Sequence, residues 1–260
     1  MELTDATVVV TGASRGIGRA LLSAFAAQGA TVVGCARDAE ALAAAVSAAE
    51  SDGDAATESE GDAATESVGG DAADDGSPTV QGVTADVRNE AAVGRLMETA
   101  DAVGDTDGID LLVANAGVKL GASGESPIHE EPYDRFDDTL ATNLRGVFAT
   151  AKEAIERMPP EGRILVPSGS IAVDPKPGMG AYAVSKGAVE TLVRQLAVDA
   201  EQTAAVVDPG LVDTDLSASG GRSPDDVAPM FVWAASEAAG GEIDGERVDL
   251  RLWKQATRSR

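Results

Sequence analysis

Short apolar runs rich in β-branched residues alternate along the chain with longer, alanine-rich segments of helical periodicity. The runs predict strands and the longer segments predict helices. The predicted strands are residues 7–10, 31–35, 79–84, 109–114, 163–166, 204–207 and 245–252, and the predicted helices include residues 19–28, 39–49, 90–102 and 133–157. Such alternation is typical of a parallel sheet covered by helices. Over 260 residues, it predicts a single α/β domain, with residues 253–260 left unassigned.

One segment breaks this pattern. Residues 50–78 contain ten acidic residues and no basic residue, and the heptapeptide GDAATES occurs twice within them. A segment of this composition buries too little apolar surface to offset the loss of chain entropy on folding. We therefore predict a disordered acidic insertion in a tolerated surface loop, between a helix and the third strand.

The whole chain is strongly acidic, with 44 Asp and Glu residues against 20 Lys and Arg residues and a net charge of −24. A surface this negative repels nucleic acid and anionic lipid, so neither is an expected partner. Only five of the basic residues are lysines, and the acids are spread along the chain. This composition favours adaptation to concentrated salt, which screens self-repulsion; an ordinary acidic protein is the alternative.

Cysteine and histidine usage narrows the chemistry further. Cys35 is the only cysteine, so an intrachain disulfide is impossible. His129 is the only histidine, so a conventional histidine metal site is not expected. The sequence also contains no run of 18 apolar residues and no export signal at its N-terminus, which predicts a cytoplasmic location.

A glycine-rich turn follows the first predicted strand, with the sequence Thr11-Gly12-Ala13-Ser14-Arg15-Gly16-Ile17-Gly18. A helix is predicted directly after it. Glycines allow the backbone to approach a pyrophosphate, and the free amides at a helix N-terminus favour its negative charge. The strand, turn and helix together therefore predict a nucleotide-binding site.

Tyr182 and Lys186 form a second candidate site. On a helix, residues four apart lie on one face, so the ammonium can approach the phenol. A nearby cation is expected to lower the tyrosine pKa from about 10 towards working pH. The pair thus indicates a proton-transfer group, although the same spacing also occurs by chance on surface helices.

Together, these two motifs resemble the short-chain dehydrogenase/reductase family. Three further features agree with it: an Asn115-Ala116-Gly117 turn after the fourth strand, Asn143 within the central helix, and a Pro209-Gly210 turn after the sixth strand. The resemblance implies a Rossmann-type, doubly wound parallel sheet of seven strands in the order 3-2-1-4-5-6-7. It also implies hydride transfer between a nicotinamide cofactor and a carbonyl or alcohol, with a small-molecule substrate and a homodimer or homotetramer.

By the same resemblance, Tyr182 is the proton donor or acceptor, Lys186 lowers its pKa and binds the nicotinamide ribose, and Asn143 holds a water that connects the lysine to solvent. Asp86 and the Val87 amide would contact the adenine. The cofactor-binding residues implied in this way are Gly12, Ser14, Arg15, Gly16, Ile17, Gly18, Arg37, Asp86, Val87, Asn115, Ala116, Gly117, Tyr182, Lys186, Pro209, Gly210, Val212 and Thr214.

The end of the second strand bears on the choice of cofactor. An acid there would bind the adenosine ribose of NAD, whereas an arginine would accommodate the 2′-phosphate of NADP. Ala36 stands where the acid is expected and Arg37 follows it, so we predict NADP. Asp38 keeps NAD as the alternative.

The catalytic serine is ambiguous. Gly169 occupies the position where the family has its serine, counted back from the tyrosine. Ser170 lies one residue nearer to Tyr182 than that position, and Ser168 lies one residue farther from it. Ile171 and Ala172 match the family's continuation, so we predict Ser170, with Ser168 as the alternative. The segment after Thr214 is also shorter than the family's usual lid, which predicts a pocket that is open or closed by a neighbouring subunit.

The leading prediction is thus an NADP-dependent short-chain oxidoreductase. An NAD-dependent alcohol dehydrogenase is one alternative. A catalytically silent regulator that senses NADP is the other, favoured by the shifted serine and the short lid.

Overall fold

The computed structural model describes residues 1–58, 79–104, 108–217 and 220–258. Seven strands form one parallel sheet in the order β3-β2-β1-β4-β5-β6-β7, which confirms the predicted topology. The strands are β1 (Thr7–Thr11), β2 (Thr31–Ala36), β3 (Val80–Thr84), β4 (Leu111–Val113), β5 (Arg163–Pro167), β6 (Thr203–Asp208) and β7 (Arg247–Asp249). The chain order reverses between β1 and β4, which is where such sheets form a ligand-binding crevice.

Helices cover both faces of the sheet. Those in the described residues are α1 (Gly16–Ala26), α2 (Ala39–Glu58), α3 (Glu90–Val103), α4 (Tyr133–Leu140), α5 (Gly146–Ile155), α6 (Gly180–Asp199), α7 (Pro224–Ser236), α8 (Gly240–Ile243) and α9 (Leu250–Thr257). One core lies between the sheet and α1, α2 and α7, and includes Phe25 and Phe231. The other lies between the sheet and α3, α5 and α6, and includes Met97 and Val193. Burial on both faces explains the nearly continuous apolar runs of the strands.

The acidic insertion begins later than predicted. Helix α2 continues from Ala39 to Glu58, so the prediction of disorder from residue 50 is wrong for its first nine residues, 50–58. Alanine and glutamate, which favour helix, recur there, and Ser23 Oγ donates to Asp52 Oδ2 over 3.0 Å. The rest of the predicted insertion, residues 59–78, lies outside the described residues.

The long helix predicted over residues 133–157 is interrupted. Between α4 and α5 the backbone forms a π turn, Ala141–Arg145, and α5 ends at Ile155. The π turn carries Asn143, whose side chain bonds outside its own helix. Turns of this kind widen a helix and are frequent at functional sites.

The C-terminal assignment also requires correction. Strand β7 ends at Asp249, and the residues from Leu250 to Thr257 form α9 instead of a continued strand and an unassigned tail. The Asp249 carboxylate caps this helix by accepting from the Leu252 amide over 2.7 Å. Its apolar residues Leu250 and Trp253 pack against the core. The cap and these contacts specify a helix where alternation alone predicted a strand.

No helix in the described part of the chain is long and apolar enough to cross a membrane.

The two faces of α6 provide a test of the packing. Val193 is fully buried against the sheet, whereas Val198 on the same helix is 78% exposed. We expect Val193→Ala to lower the free energy of unfolding by about 2 kcal/mol more than Val198→Ala, because it removes buried methyl groups and leaves a cavity. Both changes alter helix propensity equally, so that contribution cancels in the difference. Equal losses in urea denaturation would contradict the placement of α6.

Candidate active site

The glycine-rich turn links β1 to α1 and packs against the end of β4. Gly12 has φ +68°, and a Cβ atom on it would lie 2.8 Å from the Cα atom of Ala116. A Cβ atom on Gly18 would lie 2.2 Å from the carbonyl oxygen of Gly12. Both positions therefore require glycine, because larger residues would push the turn away from its neighbours. Helix α1 begins at Gly16, three residues earlier than predicted, and so includes the last part of the turn.

The N-terminus of α1 is suited to an anion. The Arg15 side chain does not cap the helix, and the first turn carries no acidic residue. The first amides of a helix have no partner within it and lie at the positive end of the helix dipole. A phosphate group is a suitable ligand for them.

A cleft of about 910 Å³ opens beside this turn. The predicted cofactor residues that line it are Gly12, Ser14, Arg15, Gly16, Ile17, Arg37, Asp86, Val87, Asn115, Ala116, Gly117 and Thr214. The predicted residues outside its lining are Gly18, Asn143, Ser170, Tyr182, Lys186, Pro209, Gly210 and Val212. The structure thus brings the predicted pyrophosphate and adenosine residues together in one cleft, with the candidate catalytic residues beyond its lining.

Asn115 ties two strands together at the rim of the cleft. Its Nδ2 atom donates to the carbonyl oxygens of Thr11 and Gly12, over 2.9 and 3.2 Å. The Ala116 amide donates to Thr11 Oγ1 over 2.9 Å. These bonds fix the end of β4 against the glycine-rich turn.

Asp86 is paired with an arginine that the sequence analysis missed. The Arg88 side chain donates from Nε to both carboxylate oxygens and from Nη2 to Oδ2, over 2.7 to 3.1 Å. Hydrogen bonding to Arg88 holds the pKa of Asp86 below its usual value. The sequence signal that could have predicted this pair is a basic residue two positions after the acid. The pair fixes the carboxylate in its charged form at the cleft wall.

The end of β2 places Ala36, Arg37 and Asp38 on the cleft wall. Asp38 already has a structural role, because its Oδ1 atom accepts from the Ala41 amide over 3.0 Å at the start of α2. Arg15 also lines the cleft; its Nη1 atom pairs with Asp215 Oδ2 over 2.9 Å, and both side chains are about 70% exposed. Two guanidinium groups therefore border this part of the cleft, and one carboxylate beside them is used as a helix cap.

Tyr182 and Lys186 lie one turn apart on α6, as the spacing predicted. The ammonium nitrogen of Lys186 is 5.8 Å from the centre of the Tyr182 ring and donates to the Pro167 carbonyl oxygen over 2.8 Å. The expected lowering of the tyrosine pKa is not found: burial raises the pKa of the phenol above its usual value. The carbonyl at the end of β5 attracts the ammonium, and desolvation disfavours the phenolate. The phenol is therefore protonated at neutral pH.

Lys186 is itself strongly perturbed. Burial lowers its pKa to about 8, and the charge of Glu190 acts in the opposite direction. Burying an ammonium removes water that stabilises its charge, so the neutral form becomes accessible at a lower pH. The lysine is still mostly charged at pH 7.

The two candidate serines have different environments. Ser168 Oγ donates to Glu190 Oε1 over 2.6 Å, so its hydroxyl proton is already used. Ser170 is exposed and begins a short 3₁₀ helix, Ser170–Ala172. Of the two, Ser170 has the more accessible side chain.

Asn143 is buried in the π turn, with hydrogen bonds from each side-chain atom. Its Oδ1 accepts from the Val118 amide over 2.7 Å, and its Nδ2 donates to the Val118 carbonyl over 2.8 Å and to Ser185 Oγ over 3.0 Å. The side chain therefore links the loop after β4 to α6, which carries Tyr182. It acts as a structural bridge between the cleft wall and that helix.

Glu131 fixes the start of α6 and was not predicted. Its side chain is 3% exposed, its Oε2 atom accepts from the Ala181 amide over 3.1 Å, and its Oε1 atom pairs with Arg135. A carboxylate at a helix N-terminus interacts favourably with the helix dipole. Glu131 thus anchors the turn from which Tyr182 projects.

The segment after β6 folds back towards the glycine-rich turn. Thr214 lies against Gly16, where an added Cβ atom would be 3.1 Å from Thr214 Cγ2. The Asp213 amide donates to the Arg222 carbonyl over 2.8 Å, and the Arg222 amide donates to the Leu211 carbonyl over 2.9 Å. The short segment between them is closed by these bonds; residues 218 and 219 are outside the described ranges.

His129 is 77% exposed and lies 3.4 Å from Glu130. Among the described residues, no group of three or more His, Cys, Asp or Glu side chains could hold a metal ion.

Comparison with known proteins places these features in context. Residues 67–247 match a family model described as enoyl-(acyl carrier protein) reductase, and residues 6–74 match one described as short chain dehydrogenase. The chain is 32% identical to versicolorin reductase from Emericella nidulans, over 85% of this chain and 74% of that protein. It is 31% identical to an NADPH-dependent aldehyde reductase-like protein from Arabidopsis thaliana, over 96% of this chain and 86% of that protein.

A solved structure is similar as well. The crystal structure of a short chain dehydrogenase from Burkholderia cenocepacia in complex with NADP superposes with a TM-score of 0.77 at 27% identity. The match covers 96% of this chain and 97% of that one.

The lowered pKa of Lys186 makes a testable contribution to stability. Its pKa is about 8 in the folded protein, below the usual lysine value of 10.5, so the unfolded state binds more protons between these two pH values. The free energy of unfolding therefore increases as pH rises from about 8 to 10.5, because Lys186 then loses its proton in both states. We expect any advantage of Lys186→Met over the parent to fall by roughly 2 kcal/mol between pH 7.5 and pH 10 in denaturant titrations.

Lys254→Met, on the exposed face of α9, is the control and should show a constant difference from the parent. A constant difference for Lys186→Met as well would mean that burial does not lower the Lys186 pKa.

Proposed function

The chain belongs to the short-chain dehydrogenase/reductase family of NAD(P)-dependent oxidoreductases, and on that premise we propose that it interconverts a carbonyl and a secondary alcohol with NADP(H). The observation that carries the proposal is the phenol and ammonium pair on α6. Tyr182 and Lys186 are one turn apart and partly buried, and a hydrogen bond to the Pro167 carbonyl holds Lys186 in place. A buried acid next to a nucleotide-sized cleft suits proton transfer coupled to hydride transfer.

The cleft fits a dinucleotide. Gly12 and Gly18 leave no space for a Cβ atom, and the N-terminus of α1 has neither a side-chain cap nor an acidic first turn. These features suit a pyrophosphate. Asp86 and Val87 would face the adenine, while Asn115, Ala116 and Gly117 would lie against the adenosine ribose.

On the nicotinamide side, we assign binding to Pro209, Gly210, Val212 and Thr214, together with Tyr182 and Lys186. The contact of Thr214 with Gly16 supports this assignment, because it joins the segment after β6 to the pyrophosphate turn. When bound, the cofactor supplies or accepts the hydride. The remaining steps depend on the side chains of this chain.

Tyr182 donates its proton to the carbonyl oxygen as negative charge develops there. Because burial keeps the phenol protonated at neutral pH, the free protein is prepared for reduction, and alcohol oxidation is favoured only as pH rises. Lys186 places a positive charge beside the developing phenolate and so stabilises it. Asn143 lies in the π turn between the loop after β4 and α6, and we assign to it the water that returns protons from solvent.

Ser170 orients the carbonyl oxygen by donating a hydrogen bond. Its side chain is exposed at the end of β5, whereas the Ser168 hydroxyl proton is donated to Glu190. A hydroxyl already bonded to a buried carboxylate is a poor donor to a substrate, because that bond would have to break. The local environment therefore favours Ser170, although its register differs by one residue from the family pattern.

NADP is the proposed cofactor. Arg37 lines the cleft at the end of β2, and Arg15 lines it from the glycine-rich turn. A guanidinium group binds a phosphate with both charge and geometry. The Arabidopsis thaliana relative named as NADPH-dependent and the NADP complex from Burkholderia cenocepacia support this choice. NAD is the alternative, because Asp38 also lines the cleft.

A catalytically silent NADP-sensing regulator is the second candidate function. It is favoured by the shifted serine and by the short segment after Thr214. Turnover would exclude it. Adaptation to concentrated salt, a cytoplasmic location and a homodimeric or homotetrameric assembly stay predictions from sequence.

Replacing Tyr182 tests the mechanism. With NADPH and a panel of aldehydes and ketones, we expect Tyr182→Phe to lower kcat/KM at least about a hundredfold on the best substrate, because the general acid is lost. The chain has only one other tyrosine, Tyr133, which is 92% exposed. Tyr133→Phe is therefore the matched control and should retain the parent rate. Equal rates for both variants would exclude Tyr182 as the acid, and no turnover by the parent would favour the regulator.

Replacing Arg37 tests cofactor choice by binding alone. We expect Arg37→Ala to weaken NADPH binding about 10- to 100-fold, because a charge-assisted hydrogen bond to the 2′-phosphate is lost, while NADH affinity changes less than about twofold. Titration calorimetry measures both. Arg19→Ala, on the exposed side of α1, is the control. Equal weakening for the two cofactors would indicate that Arg37 does not contact the 2′-phosphate.

A further inference from the structure

Glu190 is a buried carboxylate on α6, one turn beyond Lys186. Its side chain is only 5% exposed. Burying a carboxylate costs free energy unless it is paired and hydrogen-bonded. Its partners therefore indicate why a charge is held at this position.

Two donors share one oxygen of this carboxylate. Ser168 Oγ donates to Glu190 Oε1 over 2.6 Å, and Arg247 Nη1 donates to the same atom. Arg247 Nη2 also donates to Asp208 Oδ2 over 2.7 Å. These residues come from the loop after β5, from α6, from β7 and from the end of β6. The Glu190 carboxylate therefore joins three elements directly, α6, the loop after β5 and β7, and Arg247 extends the connection to the end of β6.

The carboxylate also completes a charge balance around Lys186. Arg247 and Lys186 carry two positive charges, and Glu190 and Asp208 carry two negative charges. The two carboxylates are buried, and Arg247 and Lys186 are partly buried. The charge of Glu190 raises the Lys186 pKa against the effect of burial. The other titratable groups on α6 itself are Tyr182, Arg194 and Asp199, and Glu131 with Arg135 lies at its N-terminus.

The hydrogen bond from Ser168 also connects Glu190 to the loop after β5. Ser168 directly follows Pro167, whose carbonyl accepts from Lys186, and it precedes Ser170 by two residues. Glu190 thus contacts the segment that both anchors the lysine and carries the proposed substrate-binding serine.

We propose that Glu190 is a positioning residue of this active site, which supplies the counter-charge for Lys186 and fixes the loop after β5 through Ser168. The proposal rests on the proposed function for its catalytic meaning, since Lys186 serves Tyr182 there. The electrostatic coupling between Glu190 and Lys186 can be measured in the protein without cofactor or substrate.

The chain has only five lysines, which allows the Lys186 pKa to be measured directly. Reductive ¹³C-methylation labels each lysine, the spectrum of Lys186→Arg assigns the Lys186 signal, and NMR titration gives its pKa. We expect Glu190→Gln to lower that pKa by about half a unit or more, because the neutral amide keeps the hydrogen-bonding shape but no longer stabilises the ammonium.

Glu131→Gln is the matched control. Glu131 is as buried as Glu190 and also bonds to α6, but at the opposite side of Tyr182 from Lys186. It should change the Lys186 pKa by less than about 0.2 units, since no contact links the two groups. If Glu190 only stabilised the fold, the Lys186 pKa would be unchanged in Glu190→Gln as well as in Glu131→Gln.

An unchanged Lys186 pKa in folded Glu190→Gln, verified by circular dichroism, would overturn the proposal. If that variant does not fold, Glu190→Asp replaces it: the carboxylate is one methylene shorter, so a smaller fall in the same direction is expected and no fall overturns the proposal. Because neither measurement uses turnover, the Glu190 proposal can fail while carbonyl reduction is intact. Likewise, an inactive parent protein would refute the proposed function without affecting the measured coupling.

Discussion

The burial of one ammonium group beneath the end of β5 constrains much of the active-site side of the structure. Lys186 has lost most of its water, and its pKa of about 8 reflects the cost. The Pro167 carbonyl supplies a hydrogen-bond acceptor, and Glu190 supplies a negative charge. Both must be placed correctly for the lysine to be charged at neutral pH. The positions of β5 and α6 are therefore linked through one side chain.

That constraint extends into the sheet. Strands β6 and β7 are paired so that Val206 lies opposite Arg247 and Asp208 lies opposite Asp249. From its position at the start of β7, Arg247 reaches both Asp208 and Glu190. A strand order without β7 beside β6 would leave two buried carboxylates without their cation, which is costly. The parallel topology thus stabilises the polar groups behind the site as well as the apolar core.

Short apolar runs were sufficient to predict the seven strands, and the glycine-rich turn was visible as one contiguous motif. The order of the strands came from the resemblance to a known family. The pairing of Asp86 with Arg88 and of Glu190 with Arg247 was missed, since side-chain partners depend on tertiary placement. Spacing placed Lys186 near Tyr182 but could not show that the Pro167 carbonyl would hold the ammonium. For the same reason, the sign of the tyrosine pKa shift was predicted wrongly.

The two halves of the site differ in how they carry positive charge within a chain of net charge −24. Arg15 is 71% exposed and already pairs with Asp215, so its attraction for an anion passes through solvent and is screened by salt. The Lys186 ammonium is desolvated beside the Pro167 carbonyl, where salt screens a charge less than it does in solvent. Salt is therefore expected to screen the charge of Arg15 more than the charge of Lys186.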